Sequence, residues 1–136
     1  MIDINVFREV MQKIADEKEG EFTFIGLFHR DGQTFGKWDV VVSAPWFEKG
    51  SKELTRYVAG KLQATLPREH LLTLSRVVTI QDDDPRLDAL LKQMPVDNEP
   101  LMIRNVTLFD VDIREAHILR AKRSPQTTAV AAGSPV

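Results

Sequence analysis

Phe22-Thr23-Phe24-Ile25-Gly26-Leu27-Phe28 and Trp38-Asp39-Val40-Val41-Val42 decide the fold. Both runs are rich in aromatic and β-branched residues, which suit a pleated strand. Arg30-Asp31-Gly32 between them supplies turn chemistry, and the apolar residues resume only at Lys37-Trp38. A longer or bulged hairpin over residues 21–30 and 37–44 follows. In the first strand Phe22, Phe24 and Phe28 share one parity while Ile25 and Leu27 share the other. Apolar side chains therefore point to both faces, as in a strand covered on both sides. Gly26 stands where an alternating Phe would be, which implies a bulge or a close approach. Pro45 cannot donate to a ladder and ends the second strand.

Outward from the hairpin, Ile4, Phe7, Met11 and Ile14 recur at helical spacing and predict a helix over 3–18, with Asp3 as N-cap and Gly20 as stop. On the other side, Leu54, Val58 and Leu62 predict a helix over about 52–66, with Ser51 as N-cap and Pro67 as terminator. A third strand follows at about 72–81, around Val77, Val78 and Ile80. Strand, helix and strand over this length form a crossover, so the second and third strands are expected to be parallel. Asp84 before Pro85 starts a third helix, 85 to about 94, with Leu87, Leu90, Leu91 and Met94 inward.

Two more strands are expected, at about 101–109 and 112–121. In each, the parity of apolar residues slips once: Leu101 and Ile103 against Val106 and Leu108, then Val111 and Ile113 against Ala116 and Ile118. A β-bulge absorbs such a slip. The turn between these strands contains neither Gly nor Asn, so its position is not specified locally. The fold class is α+β: a mixed sheet of about five strands with three helices, in the order α-β-β-α-β-α-β-β, as a two-layer or three-layer sandwich. One domain spans 1–123. Residues 124–136 are uncharged and rich in Ser, Thr, Ala, Gly and Pro, the composition of a flexible tail.

The chain has 136 residues, 43% hydrophobic and 28% charged, and no cysteine. That length suits a single domain with its own core. The absence of thiols excludes a disulfide scaffold, a thiolate metal site and a cysteine nucleophile. A net charge of −2 argues against a dedicated nucleic-acid binder, whose footprint is basic. No apolar run reaches the ~20 residues of a membrane span, and the first residues do not read as a signal peptide. A soluble, cytoplasmic protein is expected. Apolar residues on both hairpin faces need cover from helices or from a second subunit, so a homodimer is expected as well.

Candidate chemistry is dispersed. Asp82, Asp83 and Asp84 end a strand and begin a helix, where α/β proteins place sites. A helix cap needs only one of them, and successive side chains diverge. Ser43 and Trp46 flank the end of the second strand and could line a pocket, with Arg76 reaching in from a neighbouring strand. Glu115 and His117 share a parity and form a polar pair if their face is buried. Arg104, Arg114, Arg120, Lys122 and Arg123 are interleaved with acids and read as cross-strand ion pairs. His29, His70 and His117 have no metal-site spacing.

Hairpin, helix and strand bearing Asp31 and Asp39 resemble the core of metal-dependent nucleases in element order alone. The acid–any–lysine signature of those enzymes is absent, and Asp39 reads instead as the partner of Lys37 or of an arginine on a neighbouring strand. No phosphate-binding glycine loop occurs. The residues thus favour a non-enzymatic interaction or accessory protein. The alternative is a small-molecule-binding protein or enzyme with a pocket near Trp46 and Asp82–Asp84, drawing on Ser43, Trp46, Arg76, Asp82, Asp84, Glu115 and His117. No cofactor and no metal is expected, and the protein partner or small molecule is not specified.

Overall fold

The computed structural model describes residues 3–18, 20–34, 36–46, 52–97 and 99–123. Helix α1 is Ile4–Glu17, strands β1 and β2 are Phe24–Arg30 and Trp38–Ser43, and helix α2 is Glu53–Thr65. A single helical turn, α3, is Arg68–Leu71, followed by β3, Leu74–Thr79, and α4, Pro85–Gln93. Strands β4, Leu101–Leu108, and β5, Val111–Ala121, close the described chain. The turn α3 is the one described element that the apolar pattern missed. It buries no side chain, and so leaves no periodic signature.

The five strands form one sheet in the order β3-β2-β1-β5-β4. The hairpin is central, as its two apolar faces demand. β1 pairs antiparallel with both β2 and β5, β4 pairs antiparallel with β5, and β2 and β3 run parallel across the α2 crossover.

Each face of the sheet has its own core. On one, Phe7, Val10, Met11 and Ile14 of α1 and Leu54, Val58 and Leu62 of α2 pack on Ile25, Leu27, Val40 and Val42. On the other, Leu87 and Leu90 of α4 pack with Phe24, Phe28, Val41, Ile113 and Ile118. The molecule is a three-layer sandwich, with α4 supplying the second cover from within the same chain. Phe22 departs from its expected face and joins the α1–α2 core, because regular strand geometry begins only at Phe24.

Local signals explain the element ends. Asp3 caps α1, its Oδ1 accepting from the Asn5 N–H at 2.9 Å. Asp84 caps α4, accepting from the Arg86 N–H at 2.8 Å with Pro85 in the first turn. Ser51 lies outside the described residues, as do Phe47, Gly50 and the stretch 124–136.

The two parity slips fall opposite each other, and the β4–β5 register is the same on either side of them. In β4 the slip falls at Asn105, whose φ is +54°. In β5 it falls at Arg114, between the pairs His29–Glu115 and Arg30–Ile113. A second shift in β5, between Ile25–Arg120 and Gly26–Ile118, lies beside Gly26. The β4–β5 turn is the two residues Phe109 and Asp110, with φ of +52° and +63°. Two consecutive positive φ angles match the right-handed twist of a tight hairpin, but here neither residue is Gly or Asn.

Candidate functional site

The residues singled out from sequence divide among three places. Ser43, Trp46 and Asp82 lie at one end of the sheet. Ser43 is buried at the end of β2, and its Oγ has no hydrogen-bond partner. Trp46 packs edge-on against Phe22, with ring centroids 5.4 Å apart, on the α1 side. Asp82 accepts from Thr23 Oγ1 at 2.6 Å and from Arg123 at 3.1 Å. Asp84 is occupied as the α4 cap and by Arg86, 2.7 Å away.

Arg76 lies elsewhere. It pairs with Asp39, four residues before Ser43 on β2, a separation of ~13 Å at strand rise. The sheet therefore does not gather Ser43, Trp46, Arg76 and an aspartate around one small ligand.

Glu115 and His117 come together on a half-buried surface. Strand register aligns Trp38, His29, Glu115 and Arg104 in one row across the α1–α2 face, with Leu27, His117 and Met102 in the next. Glu115 joins Arg104 at 3.2 Å and His117 at 3.1 Å. The Trp38 ring lies against both imidazoles, with centroids 5.8 Å from His29 and 5.1 Å from His117. His29 turns Nδ1 to the Lys37 carbonyl at 2.9 Å, so that nitrogen carries the proton.

Here the sheet emerges from under its helices. β4 adds no side chain to the α1–α2 core. Met102 is 46% exposed, and Arg104 and Thr107 beside it are exposed too.

On the opposite face is a pocket that sequence reasoning missed. Asp39 is buried on β2 and meets Arg30 Nε at 2.6 Å, Gln33 Nε2 at 3.1 Å and Arg76 Nε at 3.2 Å. A carboxylate withdrawn from water requires such partners. The pairing expected of Asp39 with a neighbouring strand's arginine is thus found twice, from β1 and from β3. Beside these groups lies an apolar cavity of about 40 Å³, walled by Phe28, Val41, Val78, Ile80, Phe109 and Ile113 among others. Phe109 closes it from the β4–β5 turn. It lies against Phe24, with centroids 5.8 Å apart, and Arg86 sits over its ring at 5.8 Å. A polar residue inside an apolar strand run, Asp39 between Trp38 and Val40, was the available signal for this site.

Among the described residues, no group of three or more His, Asp or Glu side chains is placed to hold a metal ion, and no helix is long and apolar enough to cross a membrane. No protein-family model, curated protein or solved structure matches the chain.

Proposed function

We propose that this protein is a non-enzymatic interaction module whose working surface is the β4–β5 strip on the α1–α2 face. The observation that carries the reading is the uneven cover of the sheet. Helices α1 and α2 pack over β1, β2 and β3, and β4 projects beyond them with Met102 exposed. β4 is also one of the two edge strands of the sheet, and an edge strand has unpaired backbone groups that accept a further strand. The left-handed backbone at Asn105 interrupts that edge, leaving Leu101 to Arg104 as its regular half. Arg104, Glu115 and His117 then form a polar rim beside an apolar centre, the usual division of an interface.

Self-association is the form of this reading to test first. The second apolar face, which led to the expectation of a homodimer, is covered by α4. A dimer would therefore use the β4 edge, with two antiparallel copies placing Met102 beside its counterpart. Sedimentation velocity at micromolar concentration tests it. A dimer that Met102→Glu separates supports the reading, and a monomer at every concentration overturns self-association.

A further inference from the structure

We infer that Arg30 and Arg76 form a binding site for the carboxylate of a small organic acid, whose short apolar body enters the cavity under Phe109.

Both guanidiniums reach Asp39 through Nε alone. Their terminal Nη groups, each a pair of donors in a fixed fork, are not used on that carboxylate. Their side chains remain 33% and 53% exposed, while that of Asp39 is 3% exposed. Two cations against one anion leave a net positive charge at the mouth. Asp39 acts as a positioning residue: it holds both planar groups at one point, and Gln33 braces it through a second hydrogen bond while accepting from the Arg30 N–H at 2.9 Å. Bidentate recognition of a carboxylate is the chemistry that arginine forks provide.

The wall of the site selects the rest of the ligand. Arg30, Arg76 and Asp39 line the same cavity as Phe28, Val78 and Phe109. At about 40 Å³ it holds about three water-sized groups. The fitting ligand is therefore a carboxylate with a short apolar body, as in butyrate or isovalerate. A bare inorganic anion would leave the cavity unused. Phe109 forms one wall of the cavity from the β4–β5 turn and is held there by its stacking on Phe28.

The test is a titration of the full chain with acetate, butyrate, isovalerate, hexanoate and inorganic phosphate, followed by two-dimensional NMR of the Val78 methyl groups. Affinity is expected to rise about fourfold per buried methylene from acetate to butyrate, and to stop rising at hexanoate. Phosphate should bind more weakly than butyrate. Arg76→Ala, at the more exposed guanidinium, should weaken butyrate at least tenfold with the spectrum otherwise native, and Arg76→Lys should recover only part of the loss. Absence of saturable binding by every carboxylate overturns the proposal. So does phosphate binding equal to butyrate binding, or butyrate affinity unchanged in Arg76→Ala.

Discussion

Phe109 stacks on Phe28, with ring centroids 6.5 Å apart and planes 21° apart, from a backbone position at φ +52°. A side chain at that φ costs ~1–3 kcal/mol, and full burial of such a side chain contributes ~1.5–3 kcal/mol, of which the half-buried Phe109 gains a part. The packing thus offsets part of the strain, and at Phe109 the turn is held by tertiary contacts.

That balance can be separated by mutation. Phe109→Ala keeps the unfavourable φ and loses the ring, and should cost about 2 kcal/mol. Asp110→Gly, at φ +63°, should raise stability by up to ~1 kcal/mol through relief of strain. It loses an ion pair with Arg86, but Asp110 is 86% exposed, where such a pair contributes little. Urea unfolding measures both, and a loss of stability in Asp110→Gly would show that strain is not what the turn carries.

Asp39→Asn should destabilise by about 1–3 kcal/mol. Breaking a buried ion pair costs ~3–5 kcal/mol when the orphaned charge stays dry. Here the arginines can turn outward to water, which lowers the figure. Arg76→Ala should cost under ~1 kcal/mol, because that guanidinium is half exposed. Equal losses in the two variants by chemical denaturation would contradict this ordering.

Gly26→Ala tests the centre of the sheet. A Cβ on Gly26 would lie 2.8 Å from a ring carbon of Phe28 and 3.0 Å from one of Phe24. Both rings are buried and packed edge-on to each other, with centroids 6.0 Å apart, so neither moves freely. Overpacking of this kind costs ~1–3 kcal/mol. A thermal midpoint matching the parent would show that the rings shift without penalty.

Stability should decline on acidification. The Arg86 guanidinium holds the Asp84 carboxyl below its ordinary value. Lys61 and the Tyr57 hydroxyl do the same for Glu17, and Lys122 for Asp97. A carboxylate with a lowered folded pKa contributes stability above its unfolded pKa, near ~4, and that contribution is lost as pH falls through the folded value. Asp84→Asn still caps α4 but loses the charge, so its unfolding free energy should fall less between pH 7 and pH 3. Asp84→Ala should cost about 1 kcal/mol at neutral pH through the lost cap. Denaturant unfolding at a series of pH values reads both, and identical pH profiles for parent and Asp84→Asn would remove the Asp84–Arg86 pair from the account.

Several features of the fold were legible because they are local. Asp3 and Asp84 cap their helices through their own following N–H groups, Pro45 and Pro67 lie beyond element ends, and the double-faced apolar run of residues 22–28 marks a central strand. The parity slips at Asn105 and Arg114 were equally readable, since a period of two tolerates no shift without a local irregularity of the strand. The β4–β5 turn was not, because Phe109 disfavours the positive φ it adopts and Asp110 alone is a weak signal for one. The site residues fared less evenly. Glu115 and His117 share a surface as their parity implied, whereas Arg76 and Ser43 are on neighbouring strands but at opposite ends.

By itself, then, the sequence determined the order of the five strands and the three longer helices, the central place of the hairpin and the need for cover on both of its faces. Periodicity, caps and prolines act within a few residues and survive any arrangement of the whole. Only the tertiary structure decided that α4 provides the second cover, that β4 is left as an open edge, and that Arg30 and Arg76 meet at Asp39. Those outcomes depend on strand order and register between segments far apart in the chain, where free energy comes from packing partners that no local pattern names.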